Sequence, residues 1–234
     1  MRNRAEERPD LFAEREARIL DAAAELVQRW GYKKTTIDDI AKLAEVGKGT
    51  IYLHWKTREE LFIALLLRER LRAVNEAEEQ LTRDPEGITL HTAVKHFTRA
   101  VLANPLLRAA IQQDNALWSD IMRMKFVLAD TEQRMIAGRR GLALLREQGQ
   151  IRDDDDLDDQ VSMLAALSTG FMVLNHYLPE ERQLSPESLA NLLATVVQRT
   201  FERQVPDGGA AGQDRRIFHE LFEQARALSD KKVE

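Results

Sequence analysis

The sequence predicts an all-α protein with a small N-terminal helical head and a larger helical body. Apolar residues recur at three- and four-residue spacing along most of the 234 residues, as on the buried face of an amphipathic helix. Only 11 Gly and 6 Pro occur, and most lie at apparent element boundaries, which favours long helices. The chain has no Cys, so disulfides, thiolate catalysis and Cys-ligated zinc are excluded.

Charge is distributed unevenly along the chain. The net charge is −5, but residues 29–58 hold seven basic and three acidic residues, a local charge of +4. Residues 61–234 hold 22 basic and 27 acidic residues, a net charge of −5. A small basic region on an acidic body suits a protein that touches DNA with one end only. No apolar run approaches the roughly 20 residues that span a bilayer, and no signal region opens the chain, so no membrane and a cytoplasmic location are expected.

The head is predicted over residues 14–56, after a charged flexible tail at 1–13. Its first helix is indicated by apolar residues at helical spacing: Ile19, Ala23, Leu26 and Trp30. Gly31 comes next, where a left-handed C-terminal cap is expected. The head therefore begins with one amphipathic helix from Glu14 to Trp30.

Two short helices follow, separated by a tight turn. Thr36 can cap the second helix, with Asp39 three residues later in a weak form of the capping box. Glu45-Val46-Gly47 makes the turn, and Val46 is expected to fill the gap between the helices. A third helix is predicted from about Lys48 to His54. This is the layout of a helix-turn-helix, whose second helix enters a DNA major groove.

The body is predicted over residues 57–204. Thr57, with Glu60 in a second capping box, opens a long helix to about Leu81 that links the head to the body. The acidic run at 153–159 lacks the glycine and the ligand spacing of a calcium loop, so it is interpreted as a solvated helix start. The remaining elements are predicted as helices at about 88–103, 105–116, 119–148, 156–178 and 186–204, then a linker at 205–213 and an amphipathic helix at about 214–229 within the C-terminal segment 205–234.

The helix at about 156–178 is apolar almost all round, and the helix at about 186–204 repeats the pattern. A helix with two apolar faces must be covered on both. Two such helices on each of two chains predict a four-helix dimer interface, and the alternative is one large monomeric core. The predicted interface residues are Val161, Leu164, Ser168, Leu189, Leu193 and Val196.

The segment from Ile19 to Phe62, ILDAAAELVQRWGYKKTTIDDIAKLAEVGKGTIYLHWKTREELF, resembles the DNA-binding domain of TetR-family transcriptional repressors. The specific part is the K-G-T-I-Y-x-H-W-K passage with the E-E-L-F that follows it. Beyond this first quarter of the chain, only the all-helical architecture is similar. Family members often have Gly-Val-Ser where this chain has Glu45-Val46-Gly47. Glu45 must therefore adopt the turn conformation at some cost, and Gly47 caps the third helix without a hydroxyl.

The resemblance implies how the head meets DNA. It implies that Thr36 and Lys56 hold phosphates at either end of the motif. It also implies a set of residues that lie along the third helix against the DNA: Lys48, Gly49, Thr50, Tyr52 and His54. For His54, a helix-end position in water is the alternative. Ile51 and Trp55 are expected in the core, where they hold the third helix against the first.

The resemblance further implies that the body is an effector-binding and dimerisation domain. Binding of a small apolar or amphipathic effector would release a homodimer from a pseudo-palindromic operator in double-stranded DNA. The candidate pocket residues combine aromatic, Met and polar side chains, as an apolar pocket needs, although each could instead belong to the core: His96, Phe97, Asn115, Trp118, Met122, Phe126, Met163, Phe171 and Asn175.

Other classes of function find little support in the sequence. The GKGT at 47–50 is no phosphate loop, because residue 42 is Lys rather than Gly and no Ser or Thr follows Lys48. His91 and His96 are five residues apart, which does not place both on one helical face, and no nearby carboxylate completes a site, so no metal site and no cofactor are predicted. Three alternatives stay open: an effector-blind regulator whose body is only a dimerisation scaffold, an activator, and, least favoured, an enzyme on a helical scaffold.

Overall fold

The computed structural model describes residues 7–111, 135–136, 138–203 and 223. In these ranges the chain is helical, and its extended pairing is limited to one antiparallel bridge between Ile151 and Glu202. The all-α prediction is therefore confirmed. The helices are α1 (Glu7–Trp30), α2 (Ile37–Leu43), α3 (Lys48–His54), α4 (Arg58–Leu81), α5 (Leu90–Ala103), α6 (Pro105–Ile111), α7 (135–136 and 138–147), α8 (Leu157–Tyr177) and α9 (Pro186–Phe201).

The first helix begins earlier than the sequence predicts. α1 starts at Glu7 rather than Glu14, so it covers residues 7–13 of the predicted flexible tail. Pro9 lies in its first turn, where backbone N–H groups have no acceptor within the helix, so the missing N–H of proline costs nothing there. At the other end Gly31 has φ 76°, which confirms the left-handed cap. Trp30, expected on the buried face, is 48% exposed.

The N-terminal cap of α2 and the turn between α2 and α3 have the predicted geometry. Thr36 Oγ1 accepts a hydrogen bond from the Asp39 N–H at 3.2 Å, and Asp39 Oδ2 accepts one from the Thr36 N–H at 3.2 Å, so the capping box is complete. Glu45 has φ 54°, in the left-handed region that a residue with a Cβ adopts at a cost. Val46 is half-buried against the core, and Gly47 caps α3 without a side-chain hydrogen bond.

The fourth helix fastens the head to the body. Phe62 of α4 is fully buried, and the Arg58 guanidinium lies 3.9 Å from the centre of the Tyr32 ring. Thr57 accepts a hydrogen bond from the Glu60 N–H at 3.1 Å, as predicted. The Glu60 carboxylate, however, accepts from the Lys56 N–H at 2.7 Å rather than from Thr57, so this second capping box is shifted by one residue.

The body is built around α5, which packs against α4 on one side and α9 on the other. α8 packs against α9 and α6. The connection between α7 and α8 is tied to the end of α9 by backbone hydrogen bonds, from Arg152 N–H to Phe201 C=O at 2.8 Å and from Arg203 N–H to Gln150 C=O at 3.1 Å. Buried residues from α1 to α9 form one continuous core. No helix within the described ranges has both the length and the apolar content to cross a bilayer.

Two histidines of α5 have carboxylate partners that the sequence does not predict. His91 Nδ1 lies 2.8 Å from Glu202 Oε2 at the end of α9, and His96 Nε2 lies 2.6 Å from Asp84 Oδ2 in the α4–α5 loop. These carboxylates lie close to the two histidines because the loop and α9 fold back onto α5. Each histidine nevertheless pairs with a different carboxylate. In the part of the chain that the structure describes, no group of three or more His, Cys, Asp or Glu could hold a metal ion.

Candidate nucleic-acid interface

The third helix has one buried face and one exposed face. Ile51 is 1% exposed and Trp55, the residue that ends the helix, is 8% exposed, so both lie in the core as predicted. On the opposite face Tyr52 is 45% exposed. Lys48 and Gly49 are exposed as well. Because the core fixes α3 from behind, the exposed face is held rigidly and is free to meet a partner.

The exposed cation at the start of α3 is paired within the head. Lys48 Nζ donates a hydrogen bond to Asp38 Oδ2 of α2 at 2.9 Å, and this bond raises the pKa of Lys48 above its ordinary value. Both side chains are largely exposed, so the pair is weak and can exchange Asp38 for another anion. Lys48 is therefore a fixed positive charge that is available to a phosphate or a guanine edge.

The other predicted DNA contacts in this region lie at or near the surface. Gly49 is open, because a Cβ placed there would meet nothing within 4 Å. Thr50 is half-buried and its N–H donates to the Gly47 C=O at 2.8 Å. Thr36 is on the surface at the start of α2, with its hydroxyl 2.5 Å from Asp39 Oδ2, and Lys56 is exposed just beyond α3. The structure thus places each of these residues at or near the surface of the head.

His54 is placed differently. Its side chain is only 2% exposed and its ring stacks on Phe12 of α1, with ring centroids 3.9 Å apart. His54 Nδ1 lies 3.7 Å from Glu16 Oε2, also on α1. The ring therefore belongs to the contact between α1 and α3, and not to the exposed face with Tyr52. No local sequence signal predicts this contact, because Phe12 lies in residues 7–13, which the sequence assigns to a charged tail.

The structure describes five of the nine predicted pocket residues. Asn115, Trp118, Met122 and Phe126 lie outside the described residues. Of the others, His96 is bonded to Asp84, and the Asn175 amide exchanges two hydrogen bonds with the Leu184 backbone at 3.0 and 2.8 Å. Met163 is 38% exposed on the outside of α8. Among the described candidates, Phe97 and Phe171 are apolar and half-buried against the core.

The predicted interface residues of α8 and α9 lie mainly in the core of the single chain. Val161, Leu189 and Leu193 are 4%, 2% and 0% exposed. Leu164, Ser168 and Val196 are half-buried. The exposed apolar side chains of these helices belong to a different set: Met163, Leu174, Tyr177 and Leu192. The sequence shows that α8 has two apolar faces, but the prediction assigns the inward face to the partner, because periodicity does not reveal which face is covered internally.

The geometry of the head defines a class of protein. A complete capping box, a left-handed turn at Glu45 and a short third helix with a fixed buried face and a polar exposed face make a helix-turn-helix. The helix α4 joins it to a larger helical body. The chain is therefore a helix-turn-helix protein of the kind that regulates transcription.

Comparison with known proteins finds one family that the head resembles. Residues 19–65 match the family model described as bacterial regulatory proteins, tetR family. The HTH-type transcriptional regulator YhgD of Bacillus subtilis (strain 168) is 48% identical over 69 residues, 28% of this chain and 36% of that protein. The N-terminal head is thus similar to the DNA-binding domain of the tetR family. Because the match spans little more than a third of YhgD, it concerns the head alone.

Longer similarities are weaker and concern the whole architecture. The HTH-type transcriptional repressor KstR of Rhodococcus jostii (strain RHA1) is 25% identical over 186 residues, 79% of this chain and 82% of that protein. The solved structure of the regulator FadR from Bacillus subtilis in complex with stearoyl-CoA superimposes with a TM-score of 0.56 at 19% identity, covering 77% of this chain and 96% of that one. NalD, the secondary repressor of the MexAB-OprM multidrug efflux pump in Pseudomonas aeruginosa, gives 0.56 at 17% identity, with 84% and 98% covered. At these identities the structures establish a common fold.

Proposed function

We propose that this chain is a transcriptional repressor that binds a pseudo-palindromic operator as a homodimer and leaves it when a small apolar or amphipathic effector binds the body. The observation that carries the proposal is the exposed face of α3, where Lys48 and Tyr52 stand on a helix fixed by the buried Ile51. The local charge of +4 over residues 29–58 supports the same partner, because phosphate contacts supply much of the affinity for DNA.

The residues of the exposed face divide into two roles. Thr36, Lys56 and the Tyr52 hydroxyl can hold phosphates and so fix the register of the head on the duplex. Lys48 and Thr50 are placed on α3 to reach base edges, Lys48 after it exchanges Asp38 for guanine or phosphate. His54 supports α3 on the side that faces α1, because its stacking on Phe12 fixes the end of α3 relative to α1.

The DNA-binding role is tested with a duplex selected by the protein from a random library. Replacing both Lys48 and Tyr52 with Ala removes two contacts, each worth about 1–3 kcal/mol, so we expect a loss of roughly 100-fold or more in affinity. Arg199→Ala, which removes an exposed cation from α9, is the control and keeps full affinity. Circular dichroism confirms that each variant is helical. Unchanged binding by the double variant would disprove the role of this face.

The dimer is supported by a stripe of exposed residues on α8. Met163, Leu174 and Tyr177 are 38%, 61% and 60% exposed, and the small exposed residues Ala166 and Gly170 complete the three- and four-residue spacing between them. An exposed apolar stripe on one helix face, with small residues that let a second helix approach, is typical of a subunit interface. A two-fold dimer also presents two heads to the two half-sites of a palindrome.

The dimer is tested by a charge in the middle of the stripe. Leu174→Glu is expected to give monomers in light scattering, because the carboxylate would be buried without a partner. Ile136→Glu, an apolar residue of α7 that is 57% exposed, is the matched control and leaves the dimer intact. A dimer that persists in Leu174→Glu places the interface elsewhere.

The effector is proposed from the body and from the solved relative that holds stearoyl-CoA. Phe97 and Phe171 offer half-buried apolar surface for such a molecule. A thermal-shift screen with acyl-CoA thioesters and apolar drugs is expected to find a compound that raises the melting temperature and lowers the affinity for the selected duplex. If no compound in the screen does both, the effector-blind regulator is the better description.

A further inference from the structure

Leu53 is an exposed leucine on the helix that the proposed function directs at DNA. Its side chain is 79% exposed, the largest value among the exposed large apolar residues of the described chain. The packing of α3 explains its position: the helix turns about 100° per residue, and the side chains of Ile51 and His54, three residues apart, both point inward. Leu53 lies between them in sequence and so faces outward.

The neighbourhood of Leu53 on the exposed face is apolar and open. Gly49 lies one turn before Leu53, and the position of its missing Cβ has nothing within 4 Å. Helical side chains lean toward the N-terminus of their helix, so Leu53 leans over the turn that contains Gly49. Tyr52 and Lys48, also one turn apart, form a neighbouring row with polar ends on one side of this pair. The exposed face of α3 thus has an apolar row beside a polar row.

We propose that Leu53 determines sequence specificity by contacting the 5-methyl group of a thymine in the major groove. The proposal rests on the proposed DNA-binding role of α3. In the major groove the other recognition groups of the bases are hydrogen-bond donors and acceptors, and the thymine methyl is the apolar one. The absence of a side chain at Gly49 lets the helix backbone approach closely, so that Leu53 reaches the base edges. Lys48 and Tyr52 bind polar atoms of the DNA next to the thymine methyl.

The net charge of the head favours this partner over an apolar site on another protein. Residues 29–58 carry a charge of +4, and Lys48 lies one turn from Tyr52 beside Leu53. A protein-docking surface gains most from a wide apolar patch with few charges at its centre. On the exposed face of α3 the large aliphatic side chain is Leu53, beside the row formed by Lys48 and Tyr52. A single methyl group matches an aliphatic surface of that size.

The experiment replaces thymine with uracil, which removes the methyl group and nothing else. The selected duplex is prepared with deoxyuridine at each thymine position in turn, in both half-sites together. For the wild-type chain we expect about a fourfold loss per half-site at one position, the size of one methyl buried against carbon, and so about 15-fold for a two-fold symmetric duplex. Leu53→Ala is expected to bind the thymine and uracil duplexes at that position with equal affinity.

Two further variants sharpen the test. Leu43→Ala removes an apolar residue of α2 that is 43% exposed, and as the matched control it keeps the preference for thymine over uracil. Leu53→Asn places an amide where the leucine was, and a repeated selection is expected to replace thymine with adenine at the same position, because Asn pairs with the adenine edge. Circular dichroism confirms the folding of each variant, which is expected since Leu53 has no role in the core.

The outcomes separate this inference from the proposed function. If the wild-type chain selects no duplex, the proposed DNA binding fails. If it selects a duplex but Leu53→Ala discriminates thymine from uracil as strongly as the wild type, DNA binding stands and the role of Leu53 is wrong. Loss of the discrimination in Leu53→Ala and its retention in Leu43→Ala would establish the contact.

Discussion

The Glu69 carboxylate connects the head to the body, and its neutralisation is expected to destabilise both. The side chain is 7% exposed and accepts hydrogen bonds from Arg68 Nη2 at 2.9 Å, Arg72 Nη1 at 2.9 Å and Asn104 Nδ2 at 2.8 Å. Arg68 also donates to Asp21 of α1 at 2.7 Å. Asn104 Oδ1 in turn accepts from the first free N–H groups of α6, at 3.0 and 3.2 Å. One carboxylate of α4 therefore positions α1 and the start of α6.

The substitution Glu69→Gln keeps the shape of the side chain and removes its charge. All three partners are donors, and an amide has a single acceptor oxygen, so at least one donor loses its acceptor. A hydrogen bond to a charged group contributes about 1.5–3 kcal/mol and a neutral one about 1 kcal/mol. Arg72 is 56% exposed and can turn to water, and Arg68 keeps Asp21, so the loss falls mainly on Asn104 and on part of the Arg68 contact. We expect a total of about 2–3 kcal/mol.

The measurement is urea unfolding followed by circular dichroism, at one fixed protein concentration because the chain is a proposed dimer. Glu76→Gln, an exposed glutamate on the same helix, is the matched control and is expected to change stability by less than about 0.5 kcal/mol. If Glu69→Gln lowers the free energy of unfolding by no more than Glu76→Gln does, the carboxylate does not connect α1 to α6 in solution, and the reasoning is refuted.

Three other predictions concern the head and the α5–α9 contact. Since Glu45 has φ 54°, Glu45→Gly is expected to be about 0.5–1 kcal/mol more stable in urea unfolding than Glu45→Ala, which keeps the strain; equal stability would show that the turn is unstrained. Asp38→Asn frees Lys48 and is expected to raise affinity for the selected duplex about fivefold at low salt, with a smaller gain at high salt; a loss of affinity would contradict the competition. Burial lowers the pKa of His91, but the hydrogen bond and charge of Glu202 outweigh it and leave the pKa raised, so the contact stabilises the fold below about pH 6.5 and is lost as the pH rises through the raised value. The difference in unfolding free energy between wild type and Glu202→Gln should therefore shrink from pH 5.5 to pH 9, and a constant difference would rule out His91 as the titrating group.

The head could be predicted from the sequence nearly residue by residue, because its elements are specified by local chemistry. Thr36 and Asp39 cap each other within one turn, and Gly31 stands where the backbone is left-handed. Even the unfavourable conformation of Glu45 follows from the turn that the motif requires. The position of His54 does not, because its partner Phe12 is more than 40 residues away in sequence and lies in a part of α1 that reads as a charged tail.

The body was less predictable, because the periodicity of apolar residues shows that a helix has two apolar faces but not which of them packs inside the chain. On α8, Val161 and Leu174 both belong to apolar stripes, but Val161 is 4% exposed and Leu174 is 61% exposed. Which stripe turns inward depends on α9 and α6, and so on packing that no local pattern records. The same holds for His91, whose carboxylate partner Glu202 is 111 residues away.

The pair of Asp38 and Lys48 shows how the affinity of the head is related to its release. A phosphate that binds Lys48 must displace a carboxylate held at 2.9 Å. The pair is exposed, so this displacement costs little for each head of the proposed dimer. Coupling between an effector site and a second site is itself modest, typically about 1–3 kcal/mol. A head that bound DNA more tightly would need a larger coupling to be released, so Asp38→Asn is expected to repress more strongly and to respond less to the effector.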